Sequence, residues 1–154
     1  MKVVITHKEE MKFNANTGKE EFEINAKVIS PLEYFLAGMI TCSATDMIML
    51  PKNQGFEVSD LEVSGEVVRS EEHPRKFTQI HLTYNFNSTA DDQTAARWVM
   101  ASTETYCSTI NTVRDTSEIS YTIIYNGKTL REKETMISGQ GSKIDLGEID
   151  ACCS

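Results

Sequence analysis

From Leu32 to Leu50 the chain is almost continuously apolar, interrupted mainly by Glu33, Thr41, Ser43, Thr45 and Asp46. Just ahead of it, Ser30-Pro31-Leu32-Glu33 reads as a helix start: serine as N-cap, proline in the first turn, glutamate closing a capping box. Pro51 and the turn signal Asn53–Gly55 end the pattern, which predicts a buried central helix over 32–50. That length would also cross a bilayer. Two carboxylates are costly in lipid and tolerable in a protein core with partners, so a core helix is expected, with no membrane partner.

Elsewhere the period is two. Leu61, Val63, Gly65 and Val67 share one strand face. Ile80, Leu82, Tyr84 and Phe86 alternate with Gln79, His81, Thr83 and Asn85, and the two runs form an antiparallel hairpin with a long polar loop. Ile119, Tyr121, Ile123 and Tyr125 form a further strand, and Asn126-Gly127 turns Lys128–Glu134 back as an edge strand. Two short strands, 2–7 and 21–25, flank a polar turn at Asn14–Gly18. Thr89, Asp91 and Asp92 open a second helix whose inward stripe is Ala96, Val99, Met100, Thr103, Tyr106 and Cys107. The order ββ-α-ββ-α-β predicts an α+β fold, an antiparallel sheet packed around two long central helices. Residues 1–136 make one domain and 137–154 a polar, acidic tail. The first helix has more apolar surface than one small subunit covers, which predicts a homodimer and near-complete burial of that helix.

A net charge of −8 over 154 residues excludes nucleic acid and anionic lipid as natural partners. The opening MKVVITHKEE becomes charged too early for a secretory signal, so the expected location is the cytoplasm. There, the four cysteines at 42, 107, 152 and 153 are expected as thiols or redox groups rather than structural staples. No CxxC pair occurs, and His7, His73 and His81 lack metal-ligand spacing, so neither a metal nor a cofactor is expected. Each candidate has a plainer reading. Cys42 is small enough to be simple core, the capping box accounts for Glu33, Asp46 reads as a satisfied polar residue facing a partner subunit, and Cys152-Cys153 as incidental thiols of the tail.

SPLEYFLAGMITCSATDMI resembles the central-helix motif of the OsmC/Ohr family, and ETYCSTINTV its second, aromatic-Cys motif; the likeness covers roughly residues 20–125. The resemblance implies an OsmC-like fold, an intertwined dimer with two thiol sites, and reduction of organic hydroperoxides as an antioxidant stress response. By the same likeness Cys42 would be the peroxidatic residue, Cys107 the resolving one, and Glu33 would help orient the site, with an external thiol or dithiol as reductant. Family peroxidases carry an arginine in the N-terminal region that holds the thiolate. Here no arginine precedes Arg69, which leaves Lys12 and Lys27 of the N-terminal region as candidate cations. Tyr34, Phe35, Met39, Met47 and Tyr106 are expected to wall an apolar approach. Two further readings stand beside the peroxidase: a non-catalytic thiol-sensing or small-molecule-binding protein, and a hot-dog-type thioesterase.

Overall fold

The computed structural model describes residues 1–136, and the expected tail, with Cys152 and Cys153, lies outside the described residues. The elements run β1 (Val4–Glu9), β2 (Lys12–Asn16), β3 (Glu21–Asn25), α1 (Pro31–Asn53), β4 (Ser59–Arg69), β5 (Phe77–Asn87), α2 (Asp92–Ala101), a π-helical turn (Ser102–Tyr106), α3 (Ser108–Val113), β6 (Glu118–Tyr125) and β7 (Lys128–Thr135). They fall into two compact units, Met1–Ala37 and the chain from Gly38 onward, with α1 running from the first into the second.

The first unit holds an antiparallel sheet in the order β1-β2-β3. Its middle strand replaces most of the expected polar turn. Phe13 and Ala15 alternate with Lys12, Asn14 and Asn16, and a ladder on both sides outweighs the low strand preference of asparagine. The turn itself narrows to Thr17–Glu20, where Gly18 takes φ +81° and its N–H donates to the Asn16 side chain. β1 is exposed along its whole length, and Ala15 is the buried hydrophobic residue of this unit among the described residues.

The second unit holds a four-stranded sheet in the order β4-β5-β6-β7. The outer pairs are antiparallel, but β5 and β6 are parallel, which corrects the expectation of an all-antiparallel sheet. The α2-to-α3 segment is the crossover that brings the chain back to run alongside β5. Ile80, Leu82, Tyr84 and Phe86 pair with Ile119, Tyr121, Ile123 and Tyr125, and this one face is the core. Asn126 and Gly127, at φ +48° and +75°, make the expected tight turn into β7.

Helix α1 begins on the predicted capping box: Glu33 accepts from the Ser30 N–H at 2.7 Å, and the Glu33 N–H donates to Ser30 Oγ at 3.3 Å. It runs past Pro51 to Asn53, closed by the Gly55 and Phe56 N–H groups donating to Lys52 and Pro51 carbonyls. By length and composition it could cross a bilayer. Within the single chain its burial is one-sided. Met39, Ser43, Asp46, Met47, Leu50 and Pro51 are buried, whereas Leu32, Phe35 and Ile48 stay 39–47% exposed. The second expected long helix is broken: α2 has 10 residues and α3 has 6, joined by the π turn. Asp91 caps α2, accepting from the Gln93 and Thr94 N–H groups.

Candidate functional site

Cys42 sits in the middle of α1, and Cys107 follows the π turn as N-cap of α3. The two segments pass each other along a seam of polar contacts that runs in opposite chain directions. Asp46 Oδ2 accepts from Ser102 Oγ at 2.8 Å, Ser43 Oγ meets Ser102 Oγ at 2.8 Å, and Cys42 Sγ lies 3.9 Å from Ser108 Oγ. Thr109 Oγ1 then donates to the Met39 carbonyl at 3.3 Å. Falling numbers on α1 therefore meet rising numbers on the other segment, with both cysteines between the end contacts.

The two thiols influence each other, and they are not equivalent. Cys42 is half-buried beside exposed Ser108, so its side of the seam opens to solvent. Cys107 is fully buried, 3.2 Å from Thr109 Oγ1. Burial is the chief cause that pushes the Cys107 thiol up to about 12; Thr109 opposes the rise and the Cys42 thiol adds to it. Both residues are present as thiols.

The turn holding Cys107 is pinned on each side. Its N–H donates to the Ser102 carbonyl at 2.9 Å, and its carbonyl accepts from Asn111 Nδ2 at 2.9 Å. Asn111 Oδ1 in turn accepts from Arg114, whose guanidinium forms a buried ion pair with Glu104 at 3.1 Å. π turns of this kind cost backbone geometry and recur at functional sites.

Four further expectations meet the structure as follows. Glu33 is committed to the helix cap within the first unit, its carboxyl held below the ordinary range by the Ser30 hydroxyl and N–H. Lys12 and Lys27 pair with Glu9 and Glu10. Met39 and Met47 are wholly buried and cannot wall an open approach, while Tyr106 is half-buried and Phe35 exposed. Asp46 faces Ser102 of its own chain rather than a partner subunit.

Ser43, Ser102 and Tyr84 have no sequence signature as site residues. Tyr84 Oη lies 2.6 Å from Ser43 Oγ, and all three are fully buried with Asp46. Burial raises the Asp46 carboxyl above 3.8, opposed by the Ser102 hydroxyl, and burial likewise pushes the Tyr84 phenol up. A serine among alanine and threonine looks neutral in sequence; only its partners make it polar core. No cluster of three or more His, Cys, Asp or Glu side chains fit to hold a metal occurs among the described residues.

Comparison with known proteins agrees with this architecture. Protein YhfA of Escherichia coli K12 is 37% identical over 83 residues, 53% of this chain and 62% of YhfA, so the chain spans less than two thirds of that curated relative. A hypothetical protein from Aquifex aeolicus VF5 superposes with a TM-score of 0.71 at 25% identity, covering 81% of this chain and 96% of that one. OhrB of Bacillus subtilis, named an organic hydroperoxide resistance protein, superposes with a TM-score of 0.55 at 21% identity over 80% of this chain and 98% of its own; that likeness is one of fold. A family model described as OsmC-like protein matches residues 24–122, the segment that contains α1, the β4–β5 hairpin and both seam cysteines. The chain belongs to the OsmC-like protein family.

Proposed function

We propose that the protein is a thiol-dependent peroxidase that reduces organic hydroperoxides through Cys42 and Cys107. One observation carries the reading: a solvent-facing thiol lies beside a buried one on a braced turn. The Cys42 thiolate attacks the outer oxygen of ROOH, the O–O bond breaks, and ROH leaves with a proton while Cys42 becomes a sulfenic acid. The Cys107 sulfur then displaces hydroxide from Cys42, which leaves as water with the Cys107 proton, and a disulfide forms. A small thiol or dithiol of the cytoplasm reduces it back. With Met39 and Met47 in the core, the alkyl-binding wall reduces to the side chains near the open rim, Tyr106 first.

Wild type is expected to consume cumene hydroperoxide faster than hydrogen peroxide with dithiothreitol present, and Cys42→Ser to lose that consumption. Undiminished consumption by Cys42→Ser sinks the proposal. A second reading, a thiol-sensing or binding protein, is favoured by one observation: the candidate cations Lys12 and Lys27 are both tied to glutamates, in a region without arginine. Activity absent at every pH would select it. The thioesterase reading loses its base, because Asp46, the mid-helix carboxylate, is buried on Ser102.

The assembly proposed is a homodimer. Ile40, Ala44 and Ile48 of α1 line an apolar groove with Leu61 and Val63 of β4, and Ile48 is 46% exposed. Covering such a face removes apolar surface from water at about 25 cal/mol per Å². Sedimentation at micromolar concentration is expected to give a dimer, and Ile48→Glu a monomer. A monomeric wild type would end this proposal.

A further inference from the structure

The seam contains a carboxylate that the peroxide chemistry does not use. Asp46 lies one helical turn beyond Cys42 on α1, and Ser102 opens the π turn that ends at Cys107. Ser102 is held from both sides: its hydroxyl donates to Asp46 Oδ2, and its carbonyl accepts the Cys107 N–H. The contact thus joins the two segments that carry the sulfurs, next to both.

The carboxylate also orders its neighbours. Each hydroxyl has one proton to give. Since Ser102 gives its proton to Asp46, Ser43 must donate to Ser102, and Tyr84 to Ser43. One acceptor at the end of the row assigns every proton in it. All four residues are at most 2% exposed, so bulk solvent does not reach the row. A carboxylate is a costly way to hold two helices, since burial disfavours its charge.

We propose that Asp46 is a positioning residue for the thiol pair. By accepting the Ser102 hydroxyl it fixes where the turn bearing Cys107 meets the helix bearing Cys42, and so sets how readily the two sulfurs join. This rests on the reading that these cysteines cycle through a disulfide. The groups facing Asp46 are the Ser102 hydroxyl and, beyond it, the Tyr84 phenol, with the Cys107 thiol acting on Tyr84 in turn.

The test is a thiol–disulfide exchange equilibrium that needs no peroxide. The protein dithiol plus oxidised dithiothreitol gives the protein disulfide plus reduced dithiothreitol, two electrons and two protons passing from protein to reagent. It is run in the full chain with Cys152→Ser and Cys153→Ser, so that only the seam thiols exchange. Asp46→Ala is expected to lower the equilibrium constant roughly tenfold or more, which is about 30 mV for this couple. Asp46→Asn, whose amide oxygen can still accept from Ser102, should stay within about threefold, and Ser102→Ala should fall with Asp46→Ala. Ile119→Ala, in the sheet core beside Ile80 and not paired with any residue of the hydroxyl row, controls for loss of stability alone and should leave the constant unchanged.

A wild-type constant in Asp46→Ala and Ser102→Ala overturns the proposal. So does an equal fall in Asp46→Asn or in Ile119→Ala, or a wild type that forms no disulfide. Should Asp46→Ala fail to fold, Ser102→Ala carries the same test. A wild type that consumes no hydroperoxide but shows these shifts would remove the peroxidase reading and leave this one standing. Normal peroxide consumption with unmoved constants would do the reverse.

Discussion

Cys107→Ser is expected to abolish the intramolecular disulfide and to cut steady-state turnover of cumene hydroperoxide with dithiothreitol roughly tenfold or more, while the first oxidation of Cys42 survives. The reason is the division of labour proposed above. Cys42 meets solvent and takes the oxygen; Cys107, fully buried, ends the exposed life of the sulfenic acid. Without it Cys42 stays open to further oxidation to the sulfinic acid, so turnover should also decline irreversibly. Mass spectrometry after one equivalent of peroxide reads the trapped sulfenic acid directly. In wild type the closure step should speed up with pH. Burial is the first cause holding the Cys107 thiol near 12, and it persists once Cys42 is oxidised. Below that value the thiolate fraction grows about tenfold per pH unit, so closure should accelerate about as steeply from pH 7 to 9. Closure that is flat over this range would mean that Cys107 does not react as a free-standing thiolate. Steady turnover in Cys107→Ser would remove its resolving role.

Trp98→Ala is expected to cost about 3–5 kcal/mol of stability, as truncation of a fully buried tryptophan does. Trp98 has no exposed surface, packs against Phe56 and Phe86 at ring-centre distances of 5.6 and 6.5 Å, and donates from Nε1 to Gln54 at 2.8 Å. It ties α2 to the sheet face through Phe86 and to the end of α1 through Gln54. Against the roughly 5–15 kcal/mol available to a domain, this loss is large. Urea unfolding of the reduced protein measures it. A shift below about 1 kcal/mol would show that the core re-collapses around the missing ring.

Local chemistry made several features legible in the sequence. The Ser30–Glu33 box, the alternation from Phe77 to Phe86, the Asn126-Gly127 turn and the two cysteine motifs each act through neighbours a few residues away. Short-range sterics and hydrogen bonds suffice to impose them, and the family match at residues 24–122 takes in all of these segments except the Asn126-Gly127 turn. The remaining features depend on partners distant in sequence. β2 is a strand because β1 and β3 both pair with it, despite its asparagines. β5 and β6 are parallel because a crossover lies between them, and a strand's alternation carries no direction. The break at Ser102–Tyr106 replaces a regular helix where Ser102 meets Asp46 and Ser43 across the seam. α1 is apolar on nearly every side, so composition could not say which side the chain itself covers; tertiary packing chose the face of Met39, Ser43, Asp46 and Met47. The resemblance of two motifs therefore pointed to the two thiols, but their inequality, one outer and one buried, was decided by which side of the seam each backbone turned toward water.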